Sequence, residues 1–179
     1  MRLLTIAASF REESYNRQLI DIASNIAQNA GATITPVDYA STATLPLLCD
    51  AGHPPDTIPE PVRAFATQLS THDGFMLSSP EYNWSIPGAL KNLIDWLSVL
   101  PEKPLNGKKA LLLSATPSVR GGIIGLGHLC DTLMHLGVYA YPHRIGIGQA
   151  EQTIQNGTIT HPNDAAFLQN SVEQFIKQW

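Results

Sequence analysis

The chain has 179 residues, 44% of them apolar and 15% charged, a balance that suits one globular domain and excludes a disordered or low-complexity protein. Its 11 Lys and Arg against 15 Asp and Glu leave a formal charge of -4, and no basic run could neutralise several phosphates, so no nucleic acid is expected as a partner. No apolar run reaches the ~18 residues of a bilayer span, so no membrane partner is expected either.

Cys49 and Cys130 lie far apart without a CxxC spacing, which suits a reducing compartment. The opening apolar stretch is too short for a secretion signal, and a cytoplasmic setting follows as an expectation. Leu3 to Ala8 reads as a buried strand. Ser14 then caps a helix in which Leu19, Ile22, Ala23, Ile26, Ala27 and Ala30 recur at three- and four-residue spacing before Gly31 stops it. Thr33 to Asp38 predicts a second strand. Ser41 to Pro59 is a long irregular segment, in which Asp50 and His53 are candidates to line an entrance.

Pro61 to Ser70 predicts a helix, Gly74 to Ser78 a third strand, and Ala89 to Leu100 a helix with Pro87 ahead of it and Pro101 beyond it. Ala110 to Ala115 is a fourth, fully apolar strand. Gly121 to Leu136 predicts a helix, Val138 to Ile147 holds a fifth strand, and Ala165 to Trp179 predicts the last helix. This alternation predicts a three-layer α/β fold over residues 1–179, a five-stranded parallel sheet with helices on both faces.

In such a sheet, ligands bind beyond the carboxyl ends of the strands, which directs attention to the loops after strands one, three and four. The first, Ser9 to Asn16, sets hydroxyls, an amide and Arg11 where a helix begins. Free N–H groups and a guanidinium there suit a phosphate, although Ser14 as a plain cap and Arg11 in solvent would explain the same residues. The second loop sets Tyr82 and Trp84 beside Asn83 between Pro80 and Pro87; the aromatics either plug the core or flank a flat heteroaromatic ring. The third, Ser114 to Gly122, is small and glycine-rich, open to a close backbone approach. Neither G-x-x-x-x-G-K-[ST] nor G-x-G-x-x-G is present. His128 and His135 are spaced too widely for a zinc pair, and no metal is expected.

The combination Ser9-Phe10-Arg11-x-x-Ser14-x-Asn16, Leu45-Pro46-Leu47, and Pro80-Glu81-Tyr82-Asn83-x-Ser85-Ile86-Pro87-Gly88-x-Leu90-Lys91-Asn92-x-Ile94-Asp95-Trp96 resembles the NADPH-dependent FMN reductases, which include chromate, quinone and azo-dye reductases. The resemblance implies a flavodoxin-like fold, non-covalent FMN, and NADPH or NADH as co-substrate. It also implies a homodimer or homotetramer with flavin sites near a subunit interface. By the same resemblance Ser9, Arg11, Ser14, Tyr15 and Asn16 would hold the FMN phosphate. Pro80, Glu81, Tyr82, Asn83, Trp84, Ser85 and Gly88 would hold the isoalloxazine, and Ser114 the ring or ribityl region. The flavin itself would carry the hydride to a small-molecule electron acceptor, with no catalytic side chain. An electron carrier with the same fold is the alternative. The chain departs from the family pattern at Ala8, where glycine is common, at Glu12 and Glu13, which set two negative charges beside the phosphate loop, and at Trp84, a position often held by Gly or Tyr.

Overall fold

The structure, a computed structural model, describes residues 1–49 and 57–178; the proposed entrance residues Asp50 and His53, and the final Trp179, lie outside the described residues. Strands β1 (Arg2–Ala7), β2 (Thr33–Pro36), β3 (Gly74–Ser78) and β4 (Lys109–Ala115) alternate with helices α1 (Tyr15–Asn29), α2 (Glu60–Ser70) and α3 (Gly88–Ser98). Beyond them come α4 (Ile123–His135), β5 (Tyr139–Ala140), β6 (Ile145–Ile147) and the short α5 (Ala150–Thr153). The strands β7 (Ile154–Gln155) and β8 (Thr158–Ile159) and the helix α6 (Pro162–Gln178) follow. The main sheet runs β2-β1-β3-β4-β5, all parallel, with β6 also paired to β4.

Side-chain parity makes the three layers. Leu4 and Ile6 of β1 face α2, α3 and α4, while Leu3 faces α1 and α6. A strand covered on both faces needs apolar residues at every position, and all five residues of β3 are buried. The fifth strand is interrupted: β5 pairs with Lys109 and Ala110, β6 with Leu113, Ser114 and Ala115, and Pro142 stands between them. Proline has no N–H to give to a ladder, so the single strand expected from Val138 to Ile147 is split in two. The β7–β8 pair is an antiparallel hairpin absent from the predicted elements. Asn156 and Gly157 turn it with φ of 50° and 73°, the left-handed pair that a two-residue hairpin loop requires.

The chain moves from β1 to β2 on one side and returns to β3 on the other. At that reversal the loops after β1 and β3 leave in opposite directions and open a crevice at the carboxyl edge of the sheet.

Candidate functional site

The loop between β1 and α1 forms one wall of this crevice. Ala8 is buried and donates its N–H to the Ser78 carbonyl at 2.9 Å, and its backbone is not left-handed, so a methyl group fits where glycine is common. Ser9 and Ser14 are both buried. Ser14 Oγ accepts from the Asn16 N–H at 3.2 Å and Ser9 Oγ from the Arg11 N–H at 3.4 Å. Among the described residues neither hydroxyl donates its own hydrogen, and the backbone N–H groups of Glu12, Glu13, Ser14 and Tyr15 have no acceptor. Glu12 and Glu13 are exposed and stay off the crevice wall.

Asn16 is engaged elsewhere. Its amide donates to the Ala115 carbonyl at 2.9 Å, while Oδ1 accepts from the Ala115 N–H at 3.0 Å and from Ser78 Oγ at 2.9 Å. The side chain therefore clasps the start of α1 to the ends of β3 and β4, and it shapes the floor of the site.

The loop after β3 is held from two directions. Tyr82 and Ser85 exchange backbone hydrogen bonds of 3.0 Å each way around a tight turn whose tip residues, Asn83 and Trp84, have φ of 49° and 64°. Such a turn favours glycine at its second tip position. Here Trp84 carries the strain, and the Arg120 guanidinium lies over its ring at 4.7 Å from the centroid. Glu81 reaches α4, where its carboxylate accepts from the Gly125 N–H at 2.7 Å. It thus caps a helix whose own first turn has no acid and whose N-cap, Gly122, has no side chain. A Cβ on Gly125 would stand 3.1 Å from Glu81 Cγ and from the Ser85 carbonyl, so this glycine lets the loop sit against the helix. Ser85 Oγ meets His128 Nδ1 at 3.0 Å. Upstream, Asn92 and Trp96 of α3 both donate to the Pro46 carbonyl, at 3.0 and 2.8 Å, and tie the Leu45-Pro46-Leu47 segment down. Trp96 is a buried packing residue.

An open cleft lies between these loops, lined by Ser9, Arg11, Ser14, Tyr15, Asn16, Pro80, Glu81, Tyr82, Ala115, Thr116 and Pro117. Eight of the thirteen residues expected at the site are thus brought together. Asn83, Trp84, Ser85 and Gly88 fall outside the lining: the first two form the exposed turn tip, Ser85 turns to His128, and Gly88 opens α3. Ser114 also falls outside the lining. Its side chain points to the α4 face of the sheet and is fully buried, and its hydroxyl has no partner among the described residues. A Cβ on Gly122 would come within 2.2 Å of that hydroxyl, and Gly122 has φ +74°. Strand alternation gives the cleft to Ala115 instead, with Thr116 and Pro117 beyond it.

Phe10 and Tyr39 stack at 4.9 Å. Burial pushes the Tyr39 phenol up to about 12, with the nearby Tyr82 phenol adding to the effect, so it stays protonated at any working pH. Tyr39 lies between the predicted strand that ends at Asp38 and the irregular segment that begins at Ser41, in a single 3-10 turn over Tyr39–Thr42, where no periodicity marks the contact.

Fold and site define a flavodoxin-like α/β protein with an open crevice at the carboxyl edge of its sheet. The sequence matches the NADPH-dependent FMN reductases over residues 1–152. It is 32% identical to a quinone reductase of Escherichia coli over 170 residues, 90% of this chain and 89% of that protein. Its identity to an NAD(P)H-dependent FMN reductase of Pseudomonas aeruginosa is 34% over 146 residues, 78% of this chain and 72% of that protein. Among solved structures, the flavoenzyme NAD(P)H:(acceptor) oxidoreductase FerB of Paracoccus denitrificans superposes with a TM-score of 0.81 at 26% identity, covering 98% of this chain and 94% of that one. The chain belongs to the NADPH-dependent FMN reductase family, a family of oxidoreductases.

Proposed function

We propose that this chain binds FMN in the cleft and passes electrons from NAD(P)H to a small acceptor of the quinone, azo or chromate class. One observation carries the reading: two buried hydroxyls with undonated hydrogens, the unused N–H groups of Ser14 and Tyr15, and Arg11 all belong to residues that line the same cleft. That donor set suits a phosphate monoester, and the residues present fit FMN. When bound, FMN supplies the hydride and electron chemistry.

The work of the chain is then to bind and orient. Ser9, Ser14, Arg11 and the N–H groups of Ser14 and Tyr15 hold the phosphate. Pro80 to Tyr82 form one wall for the ring system and Ala115 to Pro117 the other. Asn16 keeps the two walls in register through Ala115 and Ser78, and Glu81 ties the first wall to α4. Donor and acceptor use the same cleft in turn, which gives ping-pong kinetics. The reading includes a cytoplasmic homodimer or homotetramer, a part that rests on the family resemblance and that sedimentation checks.

The test is an absorbance spectrum of the purified chain with added FMN, followed by anaerobic NADPH. Bleaching of the bound flavin is expected, with parallel lines in double-reciprocal steady-state plots. Bound flavin that NADPH leaves oxidised would make the chain an electron carrier, and intersecting lines would overturn the shared cleft.

A further inference from the structure

Arg120 stands out among the cations near the cleft. It lies three residues beyond the lining residue Pro117, and its stacking partner Trp84 lies two residues beyond the lining residue Tyr82. The pair therefore spans the two loops that wall the site. Arg120 is exposed, and among the described residues it forms no ion pair with a carboxylate. Trp84 is 58% exposed and is held up by a turn conformation in which an indole is strained.

The FMN phosphate is matched by Arg11 and the first loop, and Arg120 is left without a counterion. The hydride donor brings the remaining phosphates. A guanidinium binds phosphate oxygens as a two-pronged fork, and an indole face is a surface on which a base can stack. A guanidinium touching an indole at the mouth of the cleft is thus suited to phosphorylated adenosine. A quinone acceptor has no fixed dianion to match it.

Resting on the FMN-dependent reading above, we propose that Arg120 is the specificity residue for the donor: it pairs with the ribose 2′-phosphate of NADPH while Trp84 carries the adenine, and so selects NADPH over NADH.

Two measurements on the FMN-loaded protein test this. In the first, indole fluorescence is followed during titration with adenosine 2′,5′-bisphosphate and with 5′-AMP, using Trp84→Phe to identify the signal against the buried Trp96. The bisphosphate should bind about ten- to a hundred-fold more tightly than 5′-AMP, the ratio expected of a charge-assisted phosphate contact. Arg120→Ala should erase that difference, and Arg120→Lys should restore part of it. In the second, the ratio of kcat/KM for NADPH to that for NADH should fall by a similar factor in Arg120→Ala, chiefly through KM.

An unchanged ratio, or full preference for the bisphosphate in Arg120→Ala, overturns the assignment. So does a variant whose KM rises only for an anionic acceptor. If neither nucleotide reduces the wild-type protein, the oxidoreductase reading falls, while the fluorescence titration still reads the Arg120 contact separately.

Discussion

A serine hydroxyl has one hydrogen to give, and Ser9 and Ser14 both use their oxygens to organise their own loop, which leaves that hydrogen without an acceptor among the described residues. In the proposed site the same residue thus serves as helix cap and as ligand donor. Arg11 is the cation of the cleft, and a hydrogen bond between charged groups contributes roughly 1.5–3 kcal/mol. Arg11→Ala should therefore weaken FMN binding by about ten- to a hundred-fold and leave riboflavin, which lacks the phosphate, nearly unaffected. Fluorescence titration with both flavins checks this, and equal losses would remove Arg11 from the phosphate site. Trp84 belongs to the same scale: its left-handed backbone is strained for an indole, and contact with Arg120 offsets part of that strain by about 0.5–1 kcal/mol.

Among the elements, α4 is the one whose start depends on another part of the chain. Its N-cap is a glycine with no side chain, and the carboxylate that satisfies the Gly125 N–H comes from Glu81 in the loop after β3. One contact thereby couples a helix to the cleft wall. Glu81→Ala should lower stability by about 1.5–3 kcal/mol, because a buried helix donor loses a charged partner. Glu81→Gln retains an acceptor and should cost only the helix-dipole part, about 0.3–1 kcal/mol. Urea denaturation of the two variants separates them, and equal midpoints would show that the hydrogen bond contributes nothing. The β7–β8 hairpin shows the opposite dependence, since Asn156 and Gly157 specify it through their own conformational preferences.

At the scale of the whole molecule, the strand order β2-β1-β3-β4-β5 sets the crevice at the reversal beside β1, and three loops far apart in sequence meet there. A ligand that joins all three and binds only the folded state stabilises the entire fold. FMN at a hundred times its Kd should add about 2.7 kcal/mol. For a domain of this size that raises Tm by roughly 5–10 °C. Differential scanning calorimetry with FMN and with riboflavin measures this, and a smaller shift for riboflavin at equal concentration is expected. No shift with FMN would contradict the cleft as its site.

Local pattern determined the elements. Periodic apolar residues marked α1 and α3, continuous apolar runs marked β3 and β4, and the Ser14 cap was legible because capping needs only neighbours in sequence. The three loops were legible too, because strand and helix alternation dictates where a parallel sheet opens. The Asn156-Gly157 turn was written in the sequence as plainly and went unread. Only the tertiary structure decided which loop residues face the cleft. Ser114 and Ala115 are adjacent, yet strand parity sends one under Gly122 and the other to the site. Asn16 at the start of α1, and Glu81 and Trp84 in the loop after β3, look alike as polar or aromatic residues near a loop, but each takes its partner, Ala115, Gly125 or Arg120, from a segment at least 36 residues away. Such partnerships depend on which chain ends the sheet order brings together, and no spacing along the sequence records that.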